Sequence, residues 1–151
     1  MTMERENFEI RKLTDKETPG ALDFCLRIFK EYESPVYPPE GTEEFIRSIN
    51  DENYLEGIEY YGTFDKNQLI GVIGIRGDRK HICFFFVDGK YHRRGIGTGM
   101  FKYLLKVYPQ ERITLNSAPF GLPFYKALGF KETDVEQTVN GVRFTPMEYC
   151  P

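Results

Sequence analysis

The run Phe84-Phe-Phe-Val-Asp-Gly-Lys-Tyr-His-Arg-Arg-Gly-Ile-Gly-Thr-Gly-Met100 passes from an apolar strand, through a glycine-rich turn, into a helix. The strand side, His81–Val87, shows no polar–apolar alternation, as expected when both faces of a sheet are covered. The helix is expected from about Gly95 to Tyr108, where Pro109 stops it. Backbone N–H groups at such a helix start, with the positive end of the macrodipole, form an anion site, and glycines let the backbone come close to the anion. A Walker loop would need Gly-Lys-Ser/Thr at its end, which is absent. A dinucleotide fingerprint would need a third glycine at position 100, which is Met.

On the amino-terminal side, Phe8–Leu13 alternates as a first strand, and Thr18-Pro19 reads as an N-cap followed by proline at the first helical position. Leu22, Cys25, Leu26 and Phe29 then form one apolar helical face. The proline-rich stretch Ser34–Gly41 is expected to be non-helical, with a short helix restarting at Thr42. Strands are expected at about Glu59–Phe64 and Leu69–Arg76. On the carboxyl side a strand at Arg112–Asn116 precedes a helix at Pro119–Leu128, which Gly129 ends. Val139-Asn140-Gly141-Val142 predicts a hairpin with a type I′ turn. The order is β-α-α-β-β-β-α-β-α-β-β, a mixed α/β single domain over 1–151.

The 151 residues suit one core, and 40% hydrophobic with 28% charged residues excludes a disordered chain. The longest apolar run, Ile82–Val87, is far below the roughly 20 residues of a membrane span. Met1-Thr-Met-Glu-Arg-Glu6 does not read as a secretory leader. Cys25, Cys83 and Cys150 form neither a disulfide framework nor a zinc spacing, so a reducing cytoplasm and no metal are expected. A net charge of −3 argues against nucleic acid as a partner. The charge is uneven. Nine acids from Glu31 to Glu59 face Arg47 alone, a net −8, whereas eight bases from Arg76 to Lys106 face two acids, a net +6. Such segments are either solvated surface or the walls of sites for ligands of opposite sign.

The glycine turn resembles the acetyl-CoA motif of the GCN5-related N-acetyltransferase (GNAT) family, Gln/Arg-x-x-Gly-x-Gly/Ala about five residues after a central strand. Here it reads His92-Arg93-Arg94-Gly95-Ile96-Gly97 after Val87, with histidine in the place of Gln or Arg. Phe124-Tyr125-Lys-Ala-Leu-Gly129-Phe130 is similar to the family's Phe-Tyr-x-x-Leu-Gly-Phe. The resemblance implies an α/β GNAT-like fold, with a mixed, mostly antiparallel sheet of about seven strands and about four helices. It also implies acetyl-CoA as co-substrate. The backbone of Phe85 and Val87 would pair with the pantetheine arm. N–H groups of His92, Arg93, Arg94, Gly95, Ile96, Gly97 and Thr98 would hold the pyrophosphate, and Asn116 a pantetheine amide.

The reaction implied is direct acyl transfer from a thioester to an amine, with Tyr125 as the acid that protonates the leaving sulfur. Neutralising an amine of pKa near 10.4 at pH 7 takes roughly 4–5 kcal/mol, so a base is needed as well. The strand His81–Val87 has no carboxylate; Glu59 and His81 are the candidates. Cys83 reads as a small core residue, since direct transfer needs no nucleophilic thiol. The −8 segment, interspersed with Tyr32, Tyr37, Tyr54, Tyr60 and Tyr61, suggests a small cationic amine as acceptor. Two alternatives stay open: a non-catalytic acyl-CoA sensor, and an acyltransferase acting on a protein amine. The family resemblance also makes a homodimer an expectation to test.

Overall fold

The computed structural model describes residues 8–151; the amino-terminal stretch in which no leader is read lies outside them. The strands are β1 (Phe8–Lys12), β2 (Ile58–Asp65), β3 (Gln68–Arg76), β4 (His81–Val87), β5 (Ile113–Ser117), β6 (Lys131–Glu132), β7 (Gln137–Val139) and β8 (Val142–Tyr149). The helices are α1 (Thr18–Tyr32), α2 (Pro39–Ile49), α3 (Glu52–Leu55), α4 (Ile96–Val107) and α5 (Leu122–Leu128). The sheet runs β1-β2-β3-β4-β5-β8-β6, with β7 beside β8, and every pairing is antiparallel except β4 with β5. Beyond the seven strands and four helices expected, it adds β6 and the one-turn α3, elements too short to carry a periodicity.

One stretch differs from expectation. Ser34–Val36 forms a 3-10 turn and α2 begins at Pro39, with Pro38 as its N-cap. The prolines are accommodated because a helix's first residues have no intrahelical acceptor for their N–H groups, so a missing donor costs nothing there. The hairpin is as expected: Asn140 (φ 52°) and Gly141 (φ 82°) are both left-handed.

The sheet is buried on both faces. Phe24, Cys25, Ile28 and Phe29 of α1, with Ile49 of α2, pack on Tyr60, Val72, Phe84 and Phe86. Met100, Phe101 and Leu104 of α4 pack on Ile73, Ile75, Ile82, Ile113, Leu115 and Met147. Phe85 and Val87 turn toward this second layer, which explains the unbroken apolar run of β4. Burying each such side chain contributes roughly 1.5–3 kcal/mol. Among the described residues no helix is long and apolar enough to cross a membrane.

Two irregularities open the sheet in its middle. The β3–β4 register steps from Gly74↔Phe84 to Ile75↔Ile82, leaving Cys83 as a bulge. The β4–β5 pairing consists of His81↔Thr114 and Ile82↔Leu115 alone, so the carboxyl-terminal halves of the two strands part.

The β7–β8 hairpin rests on the first turn of α2. A Cβ built on Gly41 would lie 2.6 Å from the Gly141 carbonyl oxygen, which is backbone and cannot rotate away. Gly41→Ala is therefore expected to destabilise the protein by about 1–3 kcal/mol. Calorimetry should show a melting temperature lower by roughly 5 °C. Gly20→Ala is the control, because a Cβ there meets nothing within 4 Å.

Candidate active site

The opening between β4 and β5 leads into a cleft of about 860 Å³ that passes from the start of α4 to the aromatic layer under α1 and α2. At the α4 end, Gly95 serves as N-cap in the left-handed region (φ 80°), and no side chain caps the helix. The first intrahelical bond is from Gly99 N–H to the Gly95 carbonyl at 3.0 Å, so the N–H groups of Ile96, Gly97 and Thr98 have no intrahelical acceptor. All three residues line the cleft. Gly97 has a packing reason of its own: a Cβ there would sit 2.8 Å from the Phe124 ring.

The preceding turn is pinned at several points. Asp88, almost fully buried, accepts hydrogen bonds from Lys90 N–H and Arg27, both at 3.0 Å. Burial opposes its ionisation, but these donors hold its pKa below the usual value. The His92 backbone N–H bonds to the Gly89 carbonyl at 3.2 Å, and its Nε2–H donates to the Val87 carbonyl at 2.9 Å. Its ring packs against Tyr32, with centroids 4.9 Å apart. Arg93, in the left-handed region (φ 65°), lines the cleft. Arg94 instead lies over the rings of Tyr91 (4.9 Å) and Phe8 (5.9 Å) and is not a lining residue.

Along the parted strands the cleft is lined by Phe85, Val87 and the exposed Asn116. Tyr125, on α5, touches Phe85, Phe124 and Phe130 with ring centroids 5.3–5.8 Å apart. Burial, aided by the charge of Glu33, raises its pKa, so the phenol is protonated at neutral pH. Among the described residues its hydroxyl has no hydrogen-bond partner.

At the other end the walls are aromatic. Phe29 and Phe45 stack at 4.1 Å, and Phe84 and Phe86 meet Phe45 edge-on at 6.1 and 5.9 Å. Tyr37, Tyr54 and Phe144 complete the surface. Two carboxylates reach it. Glu44 is paired with Arg47 at 2.6 Å, whereas Glu33 has no ion pair or hydrogen bond through its side chain among the described residues. Burial raises the Glu33 pKa to about 7.

Of the two residues weighed as bases, His81 lines the cleft and Glu59 does not. Tyr60 faces the α1–α2 layer, so the two-residue period of β2 turns Glu59 to the opposite side. There it accepts from Tyr108 at 2.6 Å and lies 3.7 Å from Lys12. His81 Nδ1 bonds to Thr114 Oγ1 at 2.8 Å. Burial, then Arg79 and Arg76, lower its pKa, leaving it neutral at pH 7. Cys83 also lines the cleft; burial raises its pKa, so it is a thiol there.

Most of the charge imbalance is surface. Glu31 pairs with Arg27 at 3.6 Å, Asp51 caps α3, and of the nine acids Glu33 and Glu44 reach the cleft. Glu33 was legible in one respect: with Leu22, Leu26 and Phe29 it continues a helical stripe that is otherwise apolar.

The sequence profile of the acetyltransferase (GNAT) domain matches residues 33–150. Among curated proteins no sequence matches the chain. The solved structures similar to it include a GCN5-related N-acetyltransferase (aminotransferase, class-II) from Rhodopseudomonas palustris, with 17% identity over 100% of both chains and a TM-score of 0.82. The PaiA N-acetyltransferase from Thermoplasma acidophilum, in complex with coenzyme A, is 21% identical over 96% of this chain and 99% of its own, with a TM-score of 0.69. An aminoglycoside 6′-N-acetyltransferase complexed with coenzyme A is 17% identical over 94% and 96%, with a TM-score of 0.65.

Proposed function

The chain belongs to the acetyltransferase (GNAT) family, and from this we propose that it transfers the acetyl group of acetyl-CoA directly to a primary amine on a small cationic molecule. The observation that carries the reading is the uncapped start of α4 opening into the same cleft that Tyr125, protonated at neutral pH, also lines. Pyrophosphate would take the N–H groups of Ile96, Gly97 and Thr98, with Arg93 adding a charge-assisted contact. The parted strands leave backbone groups of Phe85 and Val87 for a pantetheine arm, and the Asn116 amide beside them. His92, holding the Val87 carbonyl, would position that edge rather than touch the chemistry. Two of the similar structures were solved with coenzyme A, which supports the choice of donor.

In this reading acceptor and donor meet in a ternary complex. The amine nitrogen bonds to the thioester carbon, the carbon–sulfur bond breaks, and the departing thiolate takes the Tyr125 proton. The ammonium loses two protons: one passes to a base on the acceptor side before attack, and the second restores the Tyr125 phenol after the thiolate has taken its proton.

The test is thermal unfolding with excess acetyl-CoA, with NADH and ATP as controls. At about 1,000 times Kd, linkage corresponds to about 4 kcal/mol. For a chain of this size that is on the order of 10 °C. A shift specific to acetyl-CoA is expected; none at millimolar ligand would refute the donor assignment.

A further inference from the structure

We propose that the acceptor is a primary amine bearing a single ammonium on an apolar, aromatic-sized body, and that the Glu33 carboxylate binds this ammonium and takes its proton. The inference rests on the acetyl-transfer reading and narrows it to a substrate class and a base.

The acceptor end of the cleft is built from Phe29, Tyr37, Phe45, Tyr54, Phe84 and Phe86. Such walls favour an apolar body and attract one cation through their ring faces. They penalise further charges, because a second ammonium would be taken from water without a partner. Glu44 is already paired with Arg47, so Glu33 supplies the one carboxylate of the cleft without a cation among the described residues. A polyamine or an aminoglycoside-like compound carries more charge than this end can match.

Glu33 caps the end of α1, where the chain turns into the 3-10 helix Ser34–Val36, and lines the same cleft as Tyr37 and Tyr125. Two protons leave the ammonium: Glu33 takes the first and frees the nitrogen lone pair, the Tyr125 phenol gives its proton to the departing thiolate, and the second amine proton restores the phenol. The other titratable and charged groups lining the cleft near the acceptor are Tyr54, His81, Cys83, Glu44 and Arg143. Arg143 is engaged by Glu136 at 2.9 Å. Burial is the one cause behind the raised Glu33 pKa of about 7, so none of these charges sets it. A bound ammonium then favours the carboxylate and lowers that value in the complex.

The test measures thiol release from acetyl-CoA with 2-phenylethylamine, spermidine and lysine amide, on the wild-type protein and on Glu33→Gln and His81→Phe. The wild type is expected to prefer 2-phenylethylamine by about 10²-fold in kcat/KM. Its kcat/KM is expected to rise with pH through about 7, and its kcat at lower pH. Glu33→Gln is expected to lose about 10²-fold in kcat/KM and the rising limb, while keeping the full acetyl-CoA thermal shift. It is also expected to melt higher than wild type at pH 8, since it removes a carboxylate ionised against burial. His81→Phe is expected to keep the limb.

Preference for spermidine or lysine amide would overturn the acceptor class, and a limb that survives in Glu33→Gln or vanishes in His81→Phe would overturn the base. Should no amine release thiol while acetyl-CoA still stabilises the protein, the acceptor proposal fails and the donor reading stands. Absence of the acetyl-CoA shift in the wild type would remove both.

Discussion

Replacing Tyr125 by Phe is expected to lower kcat by about 10²-fold or more while leaving the KM for acetyl-CoA and the melting temperature almost unchanged. The three parts have separate reasons. Phenylalanine retains the ring that packs against Phe85, Phe124 and Phe130, so the cleft keeps its shape. The hydroxyl has no hydrogen-bond partner among the described residues, so its removal leaves no buried group unsatisfied. What disappears is the proposed proton donor for the thiolate. Unassisted departure of a thiolate into an apolar cleft is costly, because a charge would form where little water can solvate it. Single-turnover kinetics with thiol detection separates this step from product release. A sensor without catalysis would behave differently: it would bind acetyl-CoA equally with or without the hydroxyl and release no thiol in either form. Unchanged turnover in the variant would remove Tyr125 from the chemistry.

The second large effect is expected in the core rather than the cleft. Phe101 is 2% exposed, and its ring meets Phe130 and Tyr149, each with centroids 5.1 Å away. Phe101→Ala should cost about 3–5 kcal/mol, from lost burial and the cavity left behind. For a chain of this length that lowers the melting temperature by on the order of 10 °C. The effect should extend to function, because Phe101 lies one turn into the helix whose start forms the proposed donor site. With that anchor gone, α4 can shift on the sheet, and the KM for acetyl-CoA is expected to rise several-fold. Val107→Ala, on the same helix but 39% exposed, should leave both quantities near wild type. Calorimetry with and without acetyl-CoA checks both claims. A Phe101→Ala protein that melts like wild type would mean the α4 layer is not held as described.

Much of this molecule is legible in its motifs. The glycine turn and the Tyr125 segment lie on the cleft because strand ends, helix starts and positive-φ turns are written in local residue chemistry. Asn140-Gly141 adopts the turn its dipeptide predicts for the same reason. Local patterns are weaker where position in a larger element decides. Pro39 reads as a helix breaker in isolation, yet it opens α2, since a proline's effect depends on which turn it occupies. Glu59 reads as a candidate base from the strand that carries it, but the face it points to depends on the register of the whole sheet. Gly97 reads as a ligand-facing glycine, yet Phe124, 27 residues away, also requires its lack of a side chain.

Fold class, the order of the main elements and the segment that builds the proposed anion site can all be read from the chain alone. Each of these follows from hydrophobic period, turn chemistry and glycine placement over short spans of chain. Which charges line the cleft, by contrast, depends on how distant segments pack together. The nine acids of one segment look alike in sequence; folding pairs Glu44 with Arg47, spends Asp51 on a cap and sends Glu59 to another face. It leaves Glu33 half-buried on a cleft also lined by aromatic rings from α1, α2, α3 and β4. A carboxylate's desolvation depends on atoms far away in sequence that close around it, and no local pattern records that closure.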